Sequence, residues 1–143
     1  MAAVILLAEE IAERQLLAAI RLWHEEDYVS AITLAGAAEE ILGKRLRKKG
    51  KEPSFDNIKS AIMALSQTLG DENQKTEKTV ADLLNQTKNE LKHYSGDDHL
   101  EFDLLEDSIE LLERAIKNYQ MLTGVIHNEM ISFWAAIDST GKL

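Results

Sequence analysis

The chain has 143 residues, no cysteine, and 16 lysines and arginines against 25 aspartates and glutamates, giving a net charge of -9. That length suits a single domain, residues 1–143, able to bury a core without metal or disulfide support. The missing thiols exclude disulfide scaffolds, thiol catalysis and cysteine-ligated zinc, and the acidic balance works against nonspecific nucleic-acid binding.

One proline, Pro53, and seven glycines in a chain rich in Ala, Leu, Glu and Lys favour long helices. The first helix is predicted from about Val4 to Trp23. Leu7, Ile11, Ala18 and Leu22 are among its apolar residues, and Glu10, Glu13, Arg14 and Arg21 lie outside. The apolar run at 1–7 is short and lacks the basic start of a signal peptide. No apolar run reaches the roughly 18 residues of a membrane span. A cytoplasmic protein without membrane contact is expected.

After the connector His24-Glu25-Glu26-Asp27, Asp27 caps a second helix over Tyr28–Lys48. Small residues dominate its middle, and Gly36 costs about 1 kcal/mol relative to alanine there. The expectation is that another helix packs closely at this point. Gly50 suits the C-terminal cap. A third helix, about Phe55 to Leu69, carries Ile58, Ile62, Leu65 and Leu69 on one face. A polar loop, Gly70-Asp71-Glu72-Asn73, follows.

The fourth helix is predicted from about Thr76 to Tyr94, with Val80, Leu83, Leu84, Thr87, Leu91 and Tyr94 as its apolar stripe. Ser95-Gly96-Asp97-Asp98 ends it. The fifth helix, about Phe102 to Leu122, presents Leu105, Ile109, Leu112, Ile116 and Tyr119 to the core, and Thr123-Gly124 stops it. A short last helix, about Asn128 to Ile137, is amphipathic through Met130, Phe133, Trp134 and Ile137. It is expected to cover a neighbouring subunit. The fold class is an all-α, up-down bundle of four to five main helices plus this short C-terminal helix.

The chemistry concentrates in Lys88-Asn89-Glu90-Leu91-Lys92-His93. At about 100° per residue, Asp82, Gln86, Asn89 and His93 share the face opposite Val80, while Lys88 lies about 140° from His93. A straight helix therefore keeps Lys88 and His93 apart. A distortion near Ser95-Gly96, or two copies paired across a dimer, would let them converge. The strip reads either as a solvated outer face or as the wall of a cleft or dimer interface. In the second case Lys88, Asn89 and His93 are the candidate catalytic set. Lys88 neutralises a phosphate, Asn89 orients a ligand, and His93 acts as general acid or base, the usual role of an imidazole.

In these residues the chain resembles the HEPN superfamily, all-α bundles of four or five helices. Many members carry an arginine, then a polar residue such as asparagine, then a histidine four to six residues on. Lys88, Asn89 and His93 match those places. The segment from Asp27 to Gly43, with its small residues and paired Glu39-Glu40, is similar to the bundle's earlier long helix. In active members the motif implies metal-independent RNA cleavage, commonly across a homodimer. Inactive members are implied to be binding or dimerisation modules, some of them partners of a nucleotidyltransferase.

Lysine in place of arginine departs from the motif, because a point charge replaces a planar fork that grips phosphate. Two functions follow. One is a noncatalytic binding or regulatory module for RNA, nucleotide or a protein partner. The other is a metal-independent endoribonuclease using His93 and Lys88.

A second candidate is the basic cluster from Lys44 to Lys51, six cations in eight residues. Lys44, Arg45, Arg47 and Lys48 would bind phosphate there, or merely complement a helix C-terminus. Glu90-x-x-His93 matches half of a di-iron pattern, but its other half is missing from the sequence, so no metal site is expected. The sequence has no glycine-rich phosphate loop or serine nucleophile elbow, and no cofactor is implied.

Overall fold

The computed structural model of the protein describes residues 2–69 and 77–139. Among the described residues all regular structure is helical: α1 (Ala8–His24), α2 (Tyr28–Lys48), α3 (Ser54–Thr68), α4 (Glu77–Leu84), α5 (Gln86–Lys92), α6 (Leu104–Thr123) and α7 (Asn128–Ser139). The chain is an all-α bundle. The expected loop at 70–73 and the expected helix start at Thr76 lie outside the described residues. No helix among the described residues is long and apolar enough to cross a membrane.

Helices α1 and α2 pack along each other, α6 lies against α2, and α7 covers α1. The α2 boundaries match the predicted span. Asp27 caps its start, accepting from the Ser30 amide at 3.2 Å. Asp103 does the same for α6 through the Glu106 amide, and Gly124 ends that helix with φ 72. A left-handed residue there favours glycine, which has no Cβ to clash.

Ala12, Leu16, Ala19 and Ile20 of α1, Ala31, Ala35, Ala38 and Leu42 of α2, and Leu112, Ala115 and Ile116 of α6 form the core. Each fully buried Leu or Ile contributes about 1.5–3 kcal/mol. Met130, Phe133 and Ile137 of α7 are fully buried, and Phe133 meets the Trp23 ring edge-on at 4.8 Å. The apolar face of α7 thus packs within its own chain, rather than covering a second subunit as expected.

Other expectations need correction. Helix α1 starts at Ala8, since the apolar run before it offers no side-chain cap. Leu7 and Ile11 are exposed rather than core, because Leu7 precedes the helix and the buried stripe runs through Ala12, Leu16, Ala19 and Trp23. On α3, Leu65 and Leu69 are exposed, and Ser54 is that helix's one buried residue. The predicted fourth helix is two helices, α4 and α5, and it ends at Lys92 before Tyr94. Leu83 and Tyr94 accordingly leave the predicted stripe for the surface.

Candidate functional site

Lys88 is the buried residue of α5, 8% exposed. Its Nζ donates to Glu40 Oε1 at 3.1 Å and to Glu39 Oε1 at 3.5 Å. Lys92 Nζ reaches the other oxygen of Glu40 at 3.4 Å. Gly36 admits the lysine stem: a Cβ there would lie 2.6 Å from Lys88 Cδ and 2.7 Å from Cγ. The glycine expected to let a helix approach closely makes room instead for one side chain.

Arg114 of α6, 3% exposed, locks this arrangement from the other side. Its guanidinium pairs with Glu39, donates to the Leu84 carbonyl at 3.1 Å and to Asn85 Oδ1 at 2.9 Å, and stacks 5.0 Å from the Phe55 ring. Leu84 and Asn85 are where α4 gives way to α5, with Asn85 at φ -108 and ψ 9. A side chain inserted into a helix's carbonyl ladder is a standard cause of such a break. The distortion therefore falls at Asn85, before the motif, and not near Ser95-Gly96.

The result is a charge cluster, buried at Lys88, Glu39 and Arg114 and open at its Glu40 edge, in which Glu39 and Glu40 answer Lys88 and Arg114. Burial pushes the Glu40 carboxyl up, but the hydrogen bond and charge of Lys88, with Lys92 behind it, outweigh this and hold it below its ordinary value. Two adjacent carboxylates take up the charge of Lys88 that a phosphate would otherwise meet.

Asn89 and His93 lie on the opposite, exposed side of α5, together with Gln86. His93 is the C-cap, with φ -125 and ψ 72, so it already leaves helical geometry. The structure thus brings Lys88 together with Glu39, Glu40 and Arg114, and sets Asn89 and His93 on the surface.

An open cleft of about 610 Å³ borders this cluster, between α2, the α4–α5 segment, α6 and the connection before α6. Lys88 and Arg114 reach it from the floor, while Glu90, Asp97, Glu101, Asp103, Asp107 and Glu110 give it an acidic lining. Thr87 Oγ1 donates to Asp107 Oδ2 at 2.5 Å and ties α5 to α6 across it. His99 also lines the cleft, whereas His24 faces a separate groove beside α7. Among the described residues no group of three or more His, Asp or Glu side chains is arranged to hold a metal ion.

Three of the six cations of the basic cluster bond within the chain. Arg45 Nε donates to Glu9 at 2.8 Å, and that bond holds the Glu9 carboxyl below its usual range. Arg47 grips Asp56 with two bonds, 2.9 and 2.7 Å, lowering the Asp56 value in the same way. Lys51 reaches the Met121 carbonyl. Lys44 and Lys48 are exposed.

Sequence reasoning passed over Arg114, although a signal was present. Glu39 stands in register with Ala35 and Leu42 on the buried stripe of α2, and Arg114 with Leu111 and Ala115 on that of α6. Opposite charges embedded in two apolar stripes have to find each other. Comparison with protein-family models, curated proteins and solved structures gave no match.

Proposed function

We propose that this chain is a noncatalytic HEPN-like module that acts in the cytoplasm as a homodimer and binds a protein partner. The observation that carries this reading is the state of Lys88, buried and held by Glu39 and Glu40. A phosphate ligand needs a cation free to meet it, and freeing Lys88 would take one of two cations from buried Glu39 and leave Glu40 to Lys92 alone. The acidic lining of the adjoining cleft argues in the same direction. It repels a polyanion such as RNA, and a nucleotide's phosphates likewise, while suiting a partner with basic side chains.

The competing reading is a metal-independent endoribonuclease, and the exposure of His93 and Asn89 is what favours it. Incubation of the purified chain with single-stranded RNA in the presence of chelator separates the two. The expected outcome is no cleavage above the buffer control, in wild type and His93→Ala alike. Cleavage that disappears in His93→Ala would overturn the module reading.

A further inference from the structure

Residues 2–7 precede α1 without regular structure, and the backbone at Leu7 is extended, with φ -73 and ψ 148. Val4, Ile5 and Leu7 are mostly exposed, Ile5 at 97%, and Leu6 is partly so. On the same helix, toward its other end, Leu17 and Ile20 floor a groove of about 640 Å³ between α1 and α7. Its rim carries His24, Asn128 and Ser132 together with the charged Arg21, Glu25 and Glu129. An apolar floor with hydrogen-bonding groups at the rim fits an extended apolar segment, whose side chains go down and whose N–H and C=O groups need partners.

We propose that two copies of the chain exchange these arms, each arm lying in the other copy's α1–α7 groove. A two-fold axis across α1 generates this arrangement, because arm and groove lie toward opposite ends of one helix and are exchanged reciprocally. Six extended residues reach about 20 Å, and the groove's stretch of α1, from Leu17 to His24, covers about 12 Å. The exposed stripe of α1 is self-complementary when antiparallel, since Glu10 of each copy comes opposite Arg14 of the other. Each apolar arm side chain removes roughly 60–120 Å² from water. Because Leu6 and Leu7 are already partly covered within their own chain, two arms with the surfaces they cover bury roughly 700–1,300 Å², the low end for a specific dimer before the α1–α1 contact is added.

This inference rests on the homodimer proposed above and not on the absence of catalysis. Sedimentation equilibrium of the full chain tests it. Wild type is expected to dimerise at micromolar concentration. Ile5→Asp should raise the dissociation constant about tenfold or more, with the helical content of the folded chain unchanged at about 25 °C. Because the chain has no cysteine, Ile5→Cys protein mixed with Ser132→Cys protein should form a disulfide between copies, and Ile5→Cys mixed with Lys48→Cys should not. A dimer that Ile5→Asp leaves intact removes the arm exchange alone. So does an Ile5→Cys, Ser132→Cys double variant that links only within one chain. A monomeric wild type removes the homodimer as well.

Discussion

Helices α1, α2, α6 and α7 supply every buried apolar side chain among the described residues except Pro53 and Val80. Helices α3, α4 and α5 contribute Ser54, Val80 and Lys88, respectively, as their buried residues. The first group is held by apolar contact. The second is fastened by charge: Arg47–Asp56, Lys59–Glu77, Lys88–Glu40, Lys92–Glu40, and Arg114 on Glu39 and Asn85. Exposed pairs of this kind contribute roughly 0–1 kcal/mol each. A region with few buried apolar contacts opens at lower free energy than the core. The motif segment therefore lies in the more easily opened part, and the buried cluster around Arg114 is its main anchor.

The largest expected effect comes from removing that anchor. Arg114→Ala leaves Glu39 buried beside a single cation and frees the Leu84 carbonyl, and it should cost about 3–5 kcal/mol. Hydrogen exchange should rise first in α4 and α5. Equal acceleration in α1 and α2 would mean that the two regions do not differ as described.

Gly36→Ala should cost about 1–3 kcal/mol, because its Cβ would overlap the Lys88 stem. In a Lys88→Ala background most of that cost should vanish, and urea denaturation of the four proteins measures the coupling. Additive costs would show that the stem is not what Gly36 accommodates.

The smallest effect belongs to the apolar group's own polar tie. Tyr119 Oη donates to Glu13 Oε2 at 2.5 Å and lies 3.0 Å from His127 Nε2; with its one proton given to Glu13, it accepts from the histidine. Burial, then the Glu13 hydrogen bond, push the phenol up to about 12, while the same bond holds Glu13 below its ordinary value. A raised Tyr119 value stabilises the fold fully below the unfolded value of about 10. That stability is lost as pH climbs from there through about 12. The Glu13 contribution is present above 4.5 and lost as pH falls through its lowered value. Tyr119→Phe should therefore flatten the alkaline decline in melting temperature. An unchanged decline would show that the tie contributes nothing there.

The apolar group was legible in the sequence because its signals are local. Asp27 and Gly124 act within a few residues, and the stripe Ile109, Leu112, Ile116, Tyr119 has helical period. The charge-fastened group was not legible in the same way. The break at Asn85 depends on Arg114, 29 positions away, and no periodicity within 76–94 announces it. The candidate site was half legible. Helical spacing put Lys88 on a different side of the helix from Asn89 and His93, and the structure has Lys88 buried and the other two exposed. That Glu39 and Glu40 receive Lys88 depends on how α5 docks on α2, a tertiary fact outside either helix's own pattern.

The central claim is that Lys88 is a structural cation. Urea denaturation of Lys88→Met tests it most directly, since methionine keeps the apolar stem beside Gly36 and removes only the charge. A loss of about 1–3 kcal/mol is expected, as Glu39 and Glu40 each lose one of two cations. A variant as stable as wild type, or more stable, would contradict it and mark Lys88 as a cation kept at a cost for a ligand.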